Sequence, residues 1–210
     1  MDERRRVVEA GYDAVAFEYA ALEQPGHEWP RLRLLREALE RVQLGSTILD
    51  LGCGNGIPGL LEIARSHEAI GVELSKRQAN LAAANVPKAR VIHGDALEVD
   101  FAPESFQAVV AAYLFDHLPR ERHAELLAKI RRWLAPNGLL LFSVEPEEEP
   151  SNVREWLGEP MFFSHFDAST TLRLVEEAGF EILKAHREIQ LEGSRDVEFL
   201  WVFAVRAATP

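Results

Sequence analysis

The sequence TILDLGCGNGIPGLLEIA, residues 47–64, combines a short apolar strand, a glycine-rich turn and the start of a helical pattern. Glycines at such a turn allow a ligand to approach the backbone closely. Gly54, Gly56 and Gly59 have the Gly-x-Gly-x-x-Gly spacing of a dinucleotide-binding turn, but Asp50 stands at the strand end just ahead of them. The glycine spacing and the carboxylate indicate different ligands.

The charge of Asp50 decides between these ligands. A pyrophosphate binds at a helix N-terminus because free backbone N–H groups attract an anion, and a carboxylate at the same place would oppose it. A cationic ammonium or sulfonium group is instead favoured there, while the same ligand's carboxylate can accept from the backbone donors. S-adenosylmethionine carries all of these groups and no phosphate. The turn therefore predicts S-adenosylmethionine, with Gly52, Gly54 and Gly56 against its methionyl part.

Two further acidic residues follow predicted strands. Glu73 ends the second strand about 20 residues after the glycines, where a carboxylate can accept hydrogen bonds from both ribose hydroxyls. Asp95 follows the third strand and can accept from the adenine amino group, while the backbone of Ala96 can meet a ring nitrogen. Together these residues predict one nucleoside site.

Short apolar runs alternate with helical patterns from residue 47 onward, which indicates an α/β fold around a buried parallel sheet. The predicted strands are TILDL, AIGVEL, ARVIHG, FQAVVAAYLF and GLLLFSVE. Residues 119–134 predict a helix. Asp167 is predicted to cap a helix that stops at Gly179, and FEILKAHREIQ and VEFLWVFAVR are predicted to form a final antiparallel pair.

The chain is predicted to form a single domain, residues 1–210. Residues 1–44 are interpreted as a helical cap, broken around QPGHEWP, and residues 45–145 as the cofactor-binding core. Residues 146–166 are rich in proline, acidic and aromatic residues without a regular period, which predicts a substrate loop or lid. Residues 167–210 form the C-terminal helix and β-hairpin in this interpretation.

The composition limits the class of partner. The chain has 34 acidic and 23 basic residues, a formal charge of -11, so nucleic acid is not expected as a partner. Cys53 is the single cysteine, which excludes an internal disulfide and a cysteine-based zinc cluster, and no metal site is predicted. Neither a signal peptide nor an apolar run long enough for a membrane is found, so a cytoplasmic protein is expected.

Several motifs in order resemble those of the class I S-adenosylmethionine-dependent methyltransferases. They are LDLGCGNG, GVELS, GDAL, FQAVVAAYLFDHLP and WLAPNGLLLFS, and the resemblance covers roughly residues 49–144. It implies a Rossmann-like three-layer sandwich, with a seven-stranded, mostly parallel sheet and one antiparallel strand. The segment YDAVAFEYA looks like the part that closes over the cofactor in small-molecule members, which implies contacts from Tyr12 and Tyr19.

The residues expected to bind the cofactor come from the cap and from the ends of the predicted strands. They are Tyr19, Asp50, Gly52, Gly54, Asn55, Gly56, Glu73, Leu74, Asp95, Ala96, Leu97 and Tyr113.

Two histidines are the candidate catalytic residues. A sulfonium is already activated, so catalysis comes mainly from orientation and from excluding water, and a base is needed only if the acceptor must lose a proton. His117 follows the fourth strand at the edge where ligands bind, and its ordinary pKa suits a base near neutral pH. His165 lies in the aromatic stretch PMFFSHFD, which suits a flat or apolar acceptor. Helix capping for His117 and packing for His165 are the structural alternatives.

The leading hypothesis is methyl transfer to a small-molecule acceptor. The alternatives are a non-catalytic S-adenosylmethionine-binding regulatory protein and an NAD-dependent reductase, which only the glycine spacing favours. Oxygen, nitrogen, carbon and sulfur acceptors all stay open, as does the oligomeric state. The loop at residues 147–166 is predicted to form the acceptor side of the pocket with the N-terminal helices.

Overall fold

A computed structural model of the protein describes residues 2–22, 30–192 and 195–207. Most of the predicted break between the N-terminal helices, QPGHEWP, and two residues of the turn before the last strand lie outside these ranges. The helices are α1 (Glu3–Ala14), α2 (Ala16–Leu22), α3 (Pro30–Leu39), α4 (Gly59–Ile63), α5 (Lys76–Asn85), α6 (His123–Trp133) and α7 (Ala168–Glu177). The strands are β1 (Thr47–Leu51), β2 (Glu68–Glu73), β3 (Arg90–His93), β4 (Phe106–Ala111), β5 (Leu134–Val144), β6 (Glu149–Trp156), β7 (Glu159–His165), β8 (Phe180–Glu192) and β9 (Arg195–Arg206).

Within the described ranges, seven strands form one sheet in the order β3-β2-β1-β4-β5-β9-β8. Strands β1 to β5 pair in parallel, and β9 runs antiparallel to both β5 and β8. The order reverses between β1 and β4, because the chain continues to β2 on one side and later returns to β4 on the other. This confirms the predicted α/β fold, and the reversal opens a crevice at the carboxyl ends of these strands.

Hydrophobic layers cover both faces of the sheet. Leu49 and Leu51 of β1 face one layer, which includes Trp133 of α6, whereas Ile48 faces the other, which includes Leu34 and Leu35 of α3. Successive residues of β1 are therefore buried on opposite sides, as expected for a central parallel strand. No helix in the described ranges is long and apolar enough to cross a membrane.

Residues 146–166 are more regular than the sequence predicts. Strands β6 and β7 pair antiparallel as a separate hairpin, with Leu157 and Gly158 at positive φ in the turn. The period-2 pattern is absent because Met161, Phe162 and Phe163 are all buried in succession, between α1 and the core, while most of β6 is exposed. The predicted loop is thus an ordered hairpin attached to the sheet domain.

Helix α1 packs directly on this hairpin. Gly11 permits the contact, because a Cβ there would lie 2.7 Å from Met161 Cε and 2.9 Å from the Pro160 carbonyl oxygen. Asp13 fixes the other side of the helix, since its Oδ1 accepts from Ser75 Oγ at 2.5 Å and from Arg77 N at 3.0 Å. Helix α1 and the hairpin therefore form one cover over the ends of β1, β2 and β4.

Candidate active site

A cavity of about 440 Å³ lies under this cover, at the carboxyl ends of the parallel strands. Its volume is in the range of small-molecule sites in proteins. All the predicted cofactor residues line it except Asp50 and Gly56. Those that line it are Tyr19, Gly52, Gly54, Asn55, Glu73, Leu74, Asp95, Ala96, Leu97 and Tyr113.

The glycines of the turn have two different roles. Gly54 has φ +56°, and a Cβ there would point toward the cavity, with Tyr19 Cε1 3.9 Å away. Gly56 has φ +83°, but a Cβ there would meet Val86 Cγ2 at 2.9 Å, so this glycine allows the turn to pack on α5. Gly54 thus leaves space for a ligand, whereas the predicted cofactor contact of Gly56 is not found in the cavity lining because Gly56 faces the core.

Glu73 is buried at the end of β2 and holds the glycine turn. Its Oε2 accepts from Gly54 N at 2.9 Å and its Oε1 accepts from Ser75 N at 2.8 Å. Burial raises the pKa of Glu73 to about 7, although these backbone hydrogen bonds oppose the shift. Each oxygen keeps a further lone pair, so the carboxylate is fixed in place as an acceptor for hydroxyl donors.

Asp50, which is predicted to contact the cofactor, lies behind the residues that line the cavity. The side chain is 5% exposed, and Oδ2 lies 3.3 Å from the site of a Cβ on Gly59 at the start of α4. Burial raises its pKa to about 7, which the positive charge of Arg31 opposes and the negative charge of Glu73 reinforces. Asp50 is therefore a buried carboxyl next to the cavity that does not belong to its lining.

Arg31 is a cavity residue that the sequence interpretation missed. It belongs to α3, lies over the Tyr113 ring at 5.6 Å and donates from Nη2 to the Ile57 carbonyl oxygen at 3.3 Å. A guanidinium in this position suits a carboxylate. Only the burial of one face of α3 against the core turns Arg31 toward the cavity, and no local motif signals this.

Asp95 contacts the N-terminal cover. Its Oδ1 accepts from Leu97 N at 2.8 Å, and its Oδ2 forms an ion pair with Arg5 Nε at 3.1 Å. Arg5 and Val8 of α1 line the cavity together with Asp95. The predicted adenine-binding end of the crevice is therefore closed by α1.

Tyr113 occupies a strained backbone position at the end of β4. Its φ is +57°, in the left-handed region that side chains rarely adopt, and its backbone N donates to Ser143 Oγ at 2.8 Å. The phenol oxygen donates to Gln190 Oε1 at 2.5 Å, and the ring packs on Phe199. Such strain is typical of functional sites, and here it turns the Tyr113 ring toward the cavity.

His117 lines the cavity and pairs with Tyr12. Its Nδ1 lies 2.9 Å from the Phe162 carbonyl oxygen, which can only accept, so Nδ1 carries the hydrogen. Nε2 then has the lone pair, and Tyr12 Oη lies 2.9 Å from it as the donor. Burial lowers the pKa of His117 to about 4, so the ring is neutral near pH 7. The pair presents a neutral, oriented imidazole and a phenol to the cavity.

His165 is separate from this pair. Its side chain is buried at the end of β7, its Nδ1 donates to the Glu147 carbonyl oxygen at 2.6 Å, and it lines neither of the two cavities of this site. The predicted direct catalytic role of His165 is therefore not supported, because the ring does not reach the cavity surface.

Aromatic side chains separate the main cavity from a much smaller one of about 20 Å³. Tyr12, Tyr19 and Trp156 meet with ring centroids 5.4–5.7 Å apart. The smaller space is about the size of one water molecule. Its lining includes Tyr12, Tyr19, Tyr113, Asp116, His117, Glu145, Trp156 and Phe163. The N-terminal helices and the hairpin, which are predicted to form the acceptor side, thus share this small space with residues that follow the sheet strands.

Comparisons with known proteins agree with this geometry. Residues 48–138 match the family model described as a methyltransferase domain. The chain is 31% identical over 150 residues to trans-aconitate 2-methyltransferase of Methylobacterium nodulans, a match that covers 68% of this chain and 57% of that protein. It is 26% identical over 155 residues to a tRNA (carboxymethyluridine(34)-5-O)-methyltransferase of Arabidopsis thaliana, and the match covers 72% of this chain and 36% of that protein. The chain spans about half the length of the curated relatives that it matches first.

A solved structure has the same fold. It is a methyltransferase of Methanosarcina mazei, with a TM-score of 0.74 at 17% sequence identity, and the superposition covers 87% of this chain and 99% of that one. The lining residues fit the predicted cofactor: Gly54 leaves room, Glu73 offers acceptors and Arg31 offers a positive charge. The earlier alternative, an NAD-dependent reductase, has no support among these matches. From the matched residues, the sheet order and the glycine turn, we conclude that residues 48–138 form a methyltransferase domain and that the chain has the fold of the S-adenosylmethionine-dependent methyltransferases.

Proposed function

We propose that this protein transfers a methyl group from S-adenosylmethionine to a small-molecule acceptor. The observation that carries the proposal is the continuity of one covered cavity. It runs from Glu73 and Asp95, which suit a nucleoside, to the Tyr12–His117 pair, where an acceptor would meet side chains able to orient it. Helix α1 covers part of this cavity with Arg5, and such a cover limits the access of water, as methyl transfer requires.

The roles of the cavity residues follow from their donors and acceptors. When bound, the cofactor supplies an activated methyl group. Glu73 accepts from the ribose hydroxyls, Asp95 accepts from the adenine amino group, and Arg31 pairs with the carboxylate. The positive charge of Arg31 favours the ionised form of Asp50, and the Asp50 carboxylate favours a cation at the same end of the cavity.

The Tyr12–His117 pair orients the acceptor and contributes little as a base. His117 Nε2 already accepts a hydrogen bond from Tyr12 Oη, and a pKa of about 4 makes the imidazole a weak proton acceptor. An acceptor that is already acidic, such as a carboxylic acid or an acidic hydroxyl, needs no stronger base. Positioning and water exclusion then account for most of the rate.

Two properties support a small acceptor over a tRNA. The formal charge of -11 repels a polyanion, and the cavity is covered by α1, which is itself held by the ion pair between Arg4 and Glu121 at 2.6 Å. One relative of this chain is named as a tRNA methyltransferase and another as a trans-aconitate methyltransferase. The acceptor is therefore best sought first among small carboxylic acids.

Calorimetry and a product assay test the proposal. We expect S-adenosylmethionine and its demethylated product to bind with one site per chain, and a screen of small organic acids to release demethylated product. His117→Gln should lower turnover while product binding stays within about threefold, and His67→Gln, which lies outside both cavities, should match the wild type. Turnover with tRNA and with no small acid would refute the proposed substrate class.

A non-catalytic S-adenosylmethionine-binding protein is the second candidate, and the closed acceptor side favours it. Tyr12, Tyr19 and Trp156 leave only about 20 Å³ beyond the main cavity. If these rings merely close the site, Trp156→Ala should enlarge the space without producing turnover on any acceptor. If they are a movable wall, the wild type should release demethylated product, and Trp156→Ala should change acceptor preference.

A further inference from the structure

Three side chains from separate elements meet beside the acceptor side of the cavity. Asp116 comes from the 3-10 turn Phe115–His117 after β4, Glu145 directly follows β5, and His165 ends β7. One potential ligand atom of each lies within 4.8 Å of the other two. Asp116 and His165 are each only 2% exposed, and the Glu145 side chain is 21% exposed. The fold thus gathers two carboxylates and an imidazole in a largely buried place.

The orientation of His165 identifies its available atom. Because Nδ1 donates to the Glu147 carbonyl oxygen, the neutral ring has its lone pair on Nε2. Nε2 is buried, has no hydrogen-bond partner among residues 2–22, 30–192 and 195–207, and lies 4.0 Å from Glu145 Oε2. A lone pair and a carboxylate oxygen therefore face each other at a distance that a bridging cation would span after a small rotation.

Hydrogen bonds position both carboxylates beside His165. Asp116 Oδ1 accepts from Glu145 N at 2.7 Å. Glu145 Oε1 accepts from Arg154 Nη2 at 2.8 Å, while Oε2 is the oxygen nearest His165. Arg154 is the positive charge that competes for Glu145, and its guanidinium also lies over the Phe163 ring at 3.9 Å. Its side chain is 34% exposed, so it can turn to solvent when a cation binds.

We propose that Asp116, Glu145 and His165 bind a divalent first-row transition-metal ion. Imidazole together with carboxylates favours Mn²⁺, Fe²⁺ or Zn²⁺ over Mg²⁺, which prefers an all-oxygen shell. The hydrogen bond from Nδ1 to a backbone carbonyl is the outer-shell contact that usually fixes a metal-ligating histidine. Three protein ligands leave at least one coordination position open.

Two of the three proposed ligands face the predicted acceptor side. Asp116 and Glu145 line the small cavity, and Tyr12, Tyr113 and His117 line both that cavity and the main one. A metal there would hold an acceptor through a carboxylate or through two neighbouring oxygens. This statement about the acceptor rests on the proposed function, whereas metal binding itself does not. Metal binding would also give His165 a function, although its ring does not line either cavity and cannot act there as a base.

Metal titration of the full chain tests the site directly. After removal of metals with a chelator, Mn²⁺ binding is measured by electron paramagnetic resonance and Zn²⁺ binding by competition with a chromophoric chelator. We expect one equivalent to bind. Asp116→Asn and His165→Ala should each weaken binding at least about 10-fold, and Arg154→Gln should strengthen it. Glu148→Gln, an acidic residue paired with Arg120 outside the cluster, is the matched control and should not change it.

The spectrum of bound Mn²⁺ provides a readout that does not depend on mutant stability. Coupling to one imidazole nitrogen is expected in the wild-type protein. Absence of that coupling, binding no tighter than in His165→Ala, or no binding at all would overturn the proposal. Calorimetry with the demethylated cofactor on the same metal-free sample separates the two proposals, because cofactor binding without metal binding would refute only the metal site.

Discussion

Replacing Glu73 with glutamine should make the unliganded protein relatively more stable at high pH while weakening cofactor binding. Burial raises the pKa of Glu73 from 4.5 to about 7, so the folded protein binds this proton more tightly than the unfolded chain does. The contribution of Glu73 to the free energy of unfolding therefore falls as the pH rises from 4.5 to about 7. Above pH 7 the buried carboxyl is ionised, and the full destabilisation remains. The difference between the two pKa values corresponds to roughly 3 kcal/mol.

The substitution removes this pH-dependent cost. An amide supplies one acceptor where the carboxylate supplies two, so the hydrogen bond from Gly54 N or from Ser75 N is lost, at about 1–3 kcal/mol independent of pH. The change in relative stability with pH is therefore the informative quantity. Between about pH 5 and pH 8.5 it should favour Glu73→Gln by roughly 2–3 kcal/mol.

Urea unfolding of the unliganded protein at the two pH values measures this change, and calorimetry measures cofactor binding. Hydroxyl donors lose a charged acceptor in the variant, so the product of S-adenosylmethionine should bind about 10- to 100-fold more weakly. Glu68→Gln, at the exposed start of the same strand, is the control and should follow the wild type in both assays. Equal loss of stability with pH in wild type and Glu73→Gln, or unchanged cofactor binding, would refute the reasoning.

Three further substitutions test the cover and the charge behind the cavity. Gly11→Ala places a methyl group 2.9 Å from a backbone oxygen of the hairpin, and thermal unfolding should show a loss of about 1–3 kcal/mol; an unchanged melting temperature would contradict the close contact. Asp13→Ala removes two hydrogen bonds between α1 and α5, so hydrogen exchange in α1 should accelerate while the central strands keep their protection. Asp50→Ala should weaken cofactor binding, measured by calorimetry, more than it weakens acceptor binding. A larger loss of acceptor affinity would show that the charge of Asp50 acts elsewhere.

The sequence by itself determined the sheet and most of the crevice residues that are predicted to bind the cofactor. The strand-turn-helix pattern at Asp50 and Gly54, and the acidic residues Glu73 and Asp95, are local signals that depend on side-chain period, turn geometry and charge. Each follows a strand end, and parallel strands bring their carboxyl ends to one edge, so local signals sufficed to place Gly54, Glu73 and Asp95 together. The helix cap at Asp167 was predictable for the same reason, since its side chain accepts from N–H groups two and three residues ahead.

Tertiary structure decided the remainder of the site, because packing between distant segments sets it. The hairpin at residues 149–165 has no clean alternation, since α1 and the core bury consecutive residues of β7 from two sides. Arg31 reaches the cavity only because of how α3 packs on the sheet. Asp50 lies behind the cavity lining, with Oδ2 close to Gly59 at the start of α4, although its sequence position suggests direct contact with a ligand.

The Asp116, Glu145 and His165 cluster shows the same limit most clearly. These residues are separated by tens of positions and follow three different elements, and none belongs to a spaced metal-binding motif. Sequence patterns report what one helix, strand or turn prefers. Which side chains face each other across elements is fixed here by the packing of β7 against the 3-10 turn at Phe115–His117, and only the folded chain contains that information.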